Sequence, residues 1–184
     1  MCKKKLLLHS CCGPCSSAVL ERLHEDYEIT VLYYNPNIYP PDEYAHRLAT
    51  QRQIIDSLPF GDEIKLVEGE YDPAAFDELA KGCESDPEGG ERCRRCFEMR
   101  LGGAAEYAAS HGFDLFTTTL SISPHKNSKL LNEIGERLST EYGVPWLHSD
   151  FKKQNGYLRS IELSREYGLY RQDYCGCKFS VRDK

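Results

Sequence analysis

Seven of the nine cysteines in this 184-residue chain fall into three tight groups that lie far apart in sequence. The first is Cys11, Cys12 and Cys15 in HSCCGPC, the second Cys93 and Cys96 in ERCRRCF, and the third Cys175 and Cys177 in YCGCKF. Cysteines three apart at a helix start present both sulfurs from one face, and a helix N-terminus favours thiolate over thiol. Cys12–Cys15 and Cys93–Cys96 have that spacing, and Gly176 lets the loop between Cys175 and Cys177 fold around an ion. Arg92, Arg94 and Arg95 are expected to offset the negative charge of the second pair. If the thiols act together, the fold must carry three distant segments to one place. Cys2, beside the initiator Met, is set aside as incidental, and Cys83 is taken as a free or buried thiol.

The apolar pattern supplies such a fold. Lys5–His9 reads as a strand that runs directly into the first cysteine group, and 15–25 as a helix. Further strands are expected at Glu28–Tyr34, Ile64–Val67, Asp114–Leu120 and Val144–His148, with helices over Asp42–Leu58, Pro73–Ala80, 92–111, 127–142 and 155–168. Gly102-Gly103 marks a kink or close packing within the fourth of these helices. Strands alternating with helices imply an α/β fold with a parallel sheet of about five strands, covered on both faces. The length suits one domain over 1–184, in which the C-terminal segment, about 150–184, completes the metal site and the substrate surface. Ligands of such sheets sit beyond the carboxyl ends of the strands, where the strand order reverses. In an order such as 3-2-1-4-5, HSCCGPC after the first strand and SISPHK after the fourth face one crevice, which holds His9 and His125.

Composition narrows the chemistry. No apolar run approaches the ~20 residues of a membrane span, and KKKLLL is too short for a signal peptide. The thiols are therefore read in the cytoplasm, where cysteine clusters mean metal or redox chemistry more often than disulfides. A four-iron cluster and a closed zinc site each take four cysteines, so seven exceed either need. Four for a cluster leave three for a second ion with an open position, which suits catalysis. One apportioning gives Cys11, Cys12, Cys93 and Cys96 to the cluster and Cys15, Cys175 and Cys177 to the second metal. A zinc-stabilised RNA-binding module is an alternative. A thioredoxin-like dithiol fits less well, because only one strand precedes Cys12 and no aromatic residue stands before it. The net charge of −6 argues against a polyanionic partner, yet residues 151–184 hold eight Lys/Arg against four Asp/Glu. That basic end is either a phosphate-facing patch or a solvated face.

HSCCGPCSS, YYNPNIYPPDEYAHR, RCRRCFEMRL, TTTLSISPHKN and DFKKQNGYLRSIELSREYGLYRQDYCGCKFS together resemble the QueH-type epoxyqueuosine reductases, over about residues 5 to 180. The resemblance implies a Rossmann-like, HUP-related three-layer sandwich. It also implies the last step of queuosine synthesis, in which epoxyqueuosine at the tRNA wobble position is reduced and its epoxide oxygen leaves as water. The cofactors implied are a 4Fe-4S cluster and an adjacent mononuclear iron; the partners are tRNA and an external electron donor, with no membrane. ATP use is not expected, since HSCCGPC places three thiols and one Gly where a phosphate cradle needs open backbone N–H groups.

On that reading the second metal polarises the epoxide oxygen. Protons come from His9, His125, His148 or Asp173. Lys126, Lys129, Lys152, Lys153, Arg159 and Arg171 are candidates for phosphate contacts. Ser121 and Ser123 are candidates for contacts within the crevice. Tyr33, Tyr34, Tyr39 and Tyr170 could stack on loop bases. Strand alternation makes at least one of Tyr33 and Tyr34 a packing residue instead.

Overall fold

A computed structural model of the chain describes residues 3–180, so Cys2 lies outside the described residues. Strand β1 (Lys4–His9) begins where the lysines give way to Leu6, Leu7 and Leu8, all three fully buried. A strand covered on both faces is apolar continuously rather than alternately, and β1 is central. It pairs in parallel with β2 (Tyr27–Tyr33) on one side and with β4 (Leu115–Thr118) on the other, and β3 (Lys65–Glu68) extends the sheet beyond β2. The order β3-β2-β1-β4 is the expected one as far as it goes.

Successive residues of β1 point to opposite faces. Leu6 and Leu8 join a core with helices α1 (Gly13–Leu23), α2 (Pro41–Ser57) and α6 (Gly156–Glu166). Leu7 joins a second core with α4 (Glu91–Ser110) and α5 (Ser128–Tyr142). Helix α3 (Pro73–Ala80), capped by the Asp72 carboxylate, packs on α4. The result is the three-layer α/β sandwich read from the sequence. Among the described residues, no helix is long and apolar enough to cross a membrane.

Among the described residues the sheet has four strands, against the expected five or so. Val144–His148 reaches it only through a single parallel bridge, Phe116 with Trp146. Pro145 lacks the N–H that a ladder would use, and the segment is held by side chains instead. Thr117 Oγ1 donates to Leu147 O (2.8 Å), Asn132 Nδ2 donates to Ser149 O (2.8 Å), and Trp146 Nε1 donates to Asn132 Oδ1 (2.9 Å). β4 also ends early, at Thr118, whose hydroxyl accepts from Leu120 N and starts a 3-10 turn over Thr119–Ile122.

Gly102-Gly103 resolves into two unlike positions. A Cβ on Gly103 would lie 2.5 Å from Tyr34 Cε1, whereas one on Gly102 would meet nothing within 4 Å. Gly103→Ala is expected to destabilise by about 1–3 kcal/mol through overpacking. Gly102→Ala is expected to stabilise by up to ~1 kcal/mol through helix propensity. Denaturant midpoints of the two variants check this, and equal shifts would contradict it.

Candidate metal centre

β1 and β4 are adjacent and parallel, but the chain leaves them for opposite faces of the sheet, α1 after β1 and α5 after β4. That divergence opens the crevice at the carboxyl edge. The first cysteine group forms its floor. Cys12 is the N-cap of α1 in extended conformation (φ −173°, ψ 156°), with Pro14 in the first turn, a position where its missing N–H is harmless. Gly13 is required by contact: a Cβ there would lie 2.6 Å from Thr50 O of α2. The Cys11, Cys12 and Cys15 sulfurs all lie within 4.8 Å of one another, with Cys11 and Cys12 3.7 Å apart.

Hydrogen bonding with Cys12 and Cys15 holds the Cys11 thiol well below its ordinary pKa, and Lys126 and Arg100 add to that. Burial pushes Cys12 up to about 12, and the Cys11 and Cys12 sulfurs push Cys15 up as well. Gln172 Nε2 donates to the Cys12 sulfur at 3.0 Å. A metal entering here would bind thiolates and so displace thiol protons.

The other four thiols line an adjoining cavity of about 110 Å³. Cys93 and Cys96 project from the first turns of α4, and Gly89 N–H donates to the Cys93 sulfur at 3.2 Å. Cys96 and Cys177 are buried together against Phe76 and Ala80, with Cys175 at the edge. Cys175 is held down at about 5 by hydrogen bonds from Cys177 and from Ser180, whose hydroxyl lies 2.9 Å from its sulfur. Cys175, Arg100, His125 and Lys126 also line a larger cavity of about 280 Å³ that reaches Cys11 and Cys15. Six of the seven thiols thus face two joined cavities, and Cys12 lies against Cys11. Cys15 sits with Cys11 and Cys12 rather than with Cys175 and Cys177, so the apportioning anticipated from the sequence cuts across this grouping.

The donor set fits an anionic metal–sulfur group. Arg100 is buried and has no carboxylate partner among the described residues; Nη2 donates to Asn35 Oδ1 (2.6 Å), the guanidinium bonds the Cys96 thiol, and Nε has no partner. Burial works against the charge on Lys126, and the Cys11, Cys15 and Cys175 sulfurs sustain it. Two cations that face these sulfurs suit thiolates bound to a metal. They stand where Arg92, Arg94 and Arg95 were expected. Arg92 Nη1 faces the carbonyls of Cys83, Glu84 and Asp86, while Arg94 and Arg95 pair with Glu91. Cys83 is a buried free thiol apart from both cavity linings.

The remaining sequence candidates divide. His125, Asp173, Ser123, Lys126 and Arg171 line the larger cavity. His9 is fully buried behind it, with Nδ1 2.9 Å from Thr118 Oγ1 and Nε2 3.0 Å from Tyr34 O, and burial pushes its pKa down to about 3. Ser121 is buried against Ser149 Oγ (3.1 Å) and accepts from Phe151 N (3.2 Å). The Tyr34 ring is wedged between Gly69 and Gly103 and lines neither cavity. Tyr33 is buried packing, as alternation required of one of the two. Lys152 and Lys153 pair with Asp150 (2.8 and 3.7 Å), Arg159 with Glu21 (2.7 Å), Lys129 with Glu133 and His148 with Glu136. Sequence reasoning missed Arg100, although it follows Cys96 by four residues and so shares its helix face. It also missed Gln172, for which no local pattern exists.

Residues 6–183 match the family described as "Epoxyqueuosine reductase QueH". A protein of that name from Staphylococcus epidermidis is 45% identical over 183 residues, which cover 97% of this chain and 77% of that one. One from Streptococcus pyogenes is 42% identical over 182 residues, covering 98% and 71%. One from Thermotoga maritima is 33% identical over 182 residues, covering 97% and 91%.

Proposed function

Because this chain belongs to the epoxyqueuosine reductase QueH family, we propose that it removes the epoxide oxygen of epoxyqueuosine in the tRNA anticodon loop. The product is queuosine, and the overall change takes two electrons and two protons and releases one water. The observation that carries the reading is the meeting of six thiols from three distant segments on two joined cavities, with the seventh, Cys12, against Cys11. We assign those thiols to a 4Fe-4S cluster and an adjacent mononuclear iron, filled and used in the cytoplasm with an external electron donor. When bound, the two groups supply single-electron transfer and Lewis-acid polarisation of an oxygen.

The chain's own residues do the rest. The larger cavity admits the modified base beside Cys11, Cys15 and Cys175. His125 and Asp173, both exposed on its wall, deliver protons; His9, buried and neutral, orients the loop after β1 and is not a donor. Lys126 and Arg171 face the cavity and serve the negatively charged substrate, and Ser123 completes its wall. Lys152, Lys153 and Arg159 are already neutralised by carboxylates and add less.

The test is anaerobic purification, iron and acid-labile sulfide counts, and turnover of epoxyqueuosine-containing tRNA with a chemical reductant. A brown protein with about five iron and four sulfide per chain, yielding queuosine, is the expected result. A colourless zinc protein without turnover would overturn it in favour of an RNA-binding module.

A further inference from the structure

Arg47 lines neither cavity, yet it is among the largest fully buried side chains and is 1% exposed. All three of its nitrogens are engaged. Nε pairs with Glu43 at 2.6 Å, Nη1 donates to Cys175 O at 3.2 Å, and Nη2 donates to Tyr174 O at 3.1 Å. The guanidinium also lies 5.0 Å from the Tyr174 ring centroid. Glu43 in turn accepts from the Tyr170 hydroxyl at 3.0 and 3.2 Å, and Tyr39 N–H donates to Gly176 O at 2.8 Å. Gly176 has φ +104°, and a Cβ there would come within 3.0 Å of Arg47 Nη1 and 2.9 Å of Ile38 Cγ1. The segment 170–176 is thus fastened to α2 at two points, through Glu43 and the stacked His46 ring at Tyr170 and through the Arg47 guanidinium at Tyr174 and Cys175.

A buried ion pair is weak evidence for stability, since apolar side chains often replace one without loss. What an apolar side chain cannot do is satisfy the Tyr174 and Cys175 carbonyls. That loop belongs to no sheet, so its buried carbonyls must find donors elsewhere. We infer that Arg47 is a positioning residue of the metal centre. It fixes the backbone of Cys175-Gly176-Cys177 so that those two sulfurs face Cys96 and the joined cavities, without itself touching a sulfur or the substrate. The effect on metal rests on the function proposed above; the placement of the loop does not.

The experiment uses the full chain with Arg47→Met, Arg47→Lys and Gly176→Ala. Gly176→Ala drives the loop off the guanidinium while leaving Arg47 in place. In metal-free protein, alkylation by iodoacetamide is followed cysteine by cysteine through mass-mapped peptides. Cys175 and Cys177 are expected to react about ten-fold faster or more in Arg47→Met and Gly176→Ala, with Cys11, Cys12 and Cys15 changed less than about two-fold. Arg47→Lys keeps the charge opposite Glu43 but not the planar fork, so its rates should be intermediate. Unchanged rates at Cys175 and Cys177 would overturn the inference, and so would equal acceleration at every cysteine. After anaerobic iron–sulfide reconstitution, Arg47→Met should give an altered visible or EPR spectrum. If even the wild type takes up no iron, the proposed function fails while the alkylation pattern still decides the role of Arg47.

Discussion

Serine at position 11 is expected to strip the protein of part of its iron and to lower turnover by at least ~10³-fold, about 4 kcal/mol of transition-state stabilisation. The two side chains differ by one atom, so the folded chain should change little. Their ligand chemistry differs completely. Thiolate is the soft donor that iron–sulfur sites use, and a serine hydroxyl neither ionises near neutral pH nor competes with it. Cys11 is also the thiol of its group held well below its ordinary pKa, by hydrogen bonding with Cys12 and Cys15 and by the nearby charges of Lys126 and Arg100. It lines the larger cavity, so its loss acts where substrate is expected to sit. Cys83→Ser is the matched control, because that thiol is buried and lies apart from both cavity linings. The control should retain full iron and full turnover. Iron per chain and kcat/KM on epoxyqueuosine-containing tRNA are the measurements, and a fully iron-loaded, fully active Cys11→Ser protein would remove the first cysteine group from the centre.

The features legible in the sequence were those set by local pattern. Leu6-Leu7-Leu8, an apolar run leading into the first cysteine group, reads as a first strand, and strands alternating with helices imply a parallel sheet whose first and fourth strands flank the crevice. That placed HSCCGPC and SISPHK together before any contact was seen. What escaped depends on partners distant in the chain. Arg159 reads as a free cation until Glu21, 138 residues away, is found beside it. Arg92 reads as a counter-charge for Cys93, yet Nη1 turns back on the loop that precedes it. The Tyr34 ring reads as a stacking surface until Gly69 and Gly103 are seen closing on it. The fifth strand failed for a local reason that was in view, Pro145, whose missing N–H leaves one bridge where a ladder was expected. The grouping of sulfurs escaped because spacing fixes which thiols share a helix face and says nothing about which faces meet.

Exchange of Arg100 for methionine is expected to weaken metal retention by roughly 10–100-fold, the range in which loss of an outer-shell partner falls. A guanidinium this deeply buried is costly unless negative charge faces it, and no carboxylate does so among the described residues. The groups that do are sulfurs: Arg100 bonds the Cys96 thiol and adds to the field that lowers the pKa of Cys11. Methionine fills similar volume and adapts to irregular cavities, so it removes the charge without opening a large void. In the metal-free protein two terms then oppose each other. The penalty for a buried cation disappears, while Asn35 Oδ1 loses the donor now 2.6 Å away. Metal-free stability should therefore stay within about 2 kcal/mol of wild type, while the loaded protein yields its iron to a chelator far sooner. Arg100→Lys, which keeps the charge but not the fork, should recover much of the retention. Chelator competition on anaerobically loaded protein, paired with denaturant unfolding of the metal-free form, separates the two effects. Unaltered retention in Arg100→Met, or a metal-free protein destabilised in proportion to its lost iron, would show that the arginine supports the fold and not the charge of the centre.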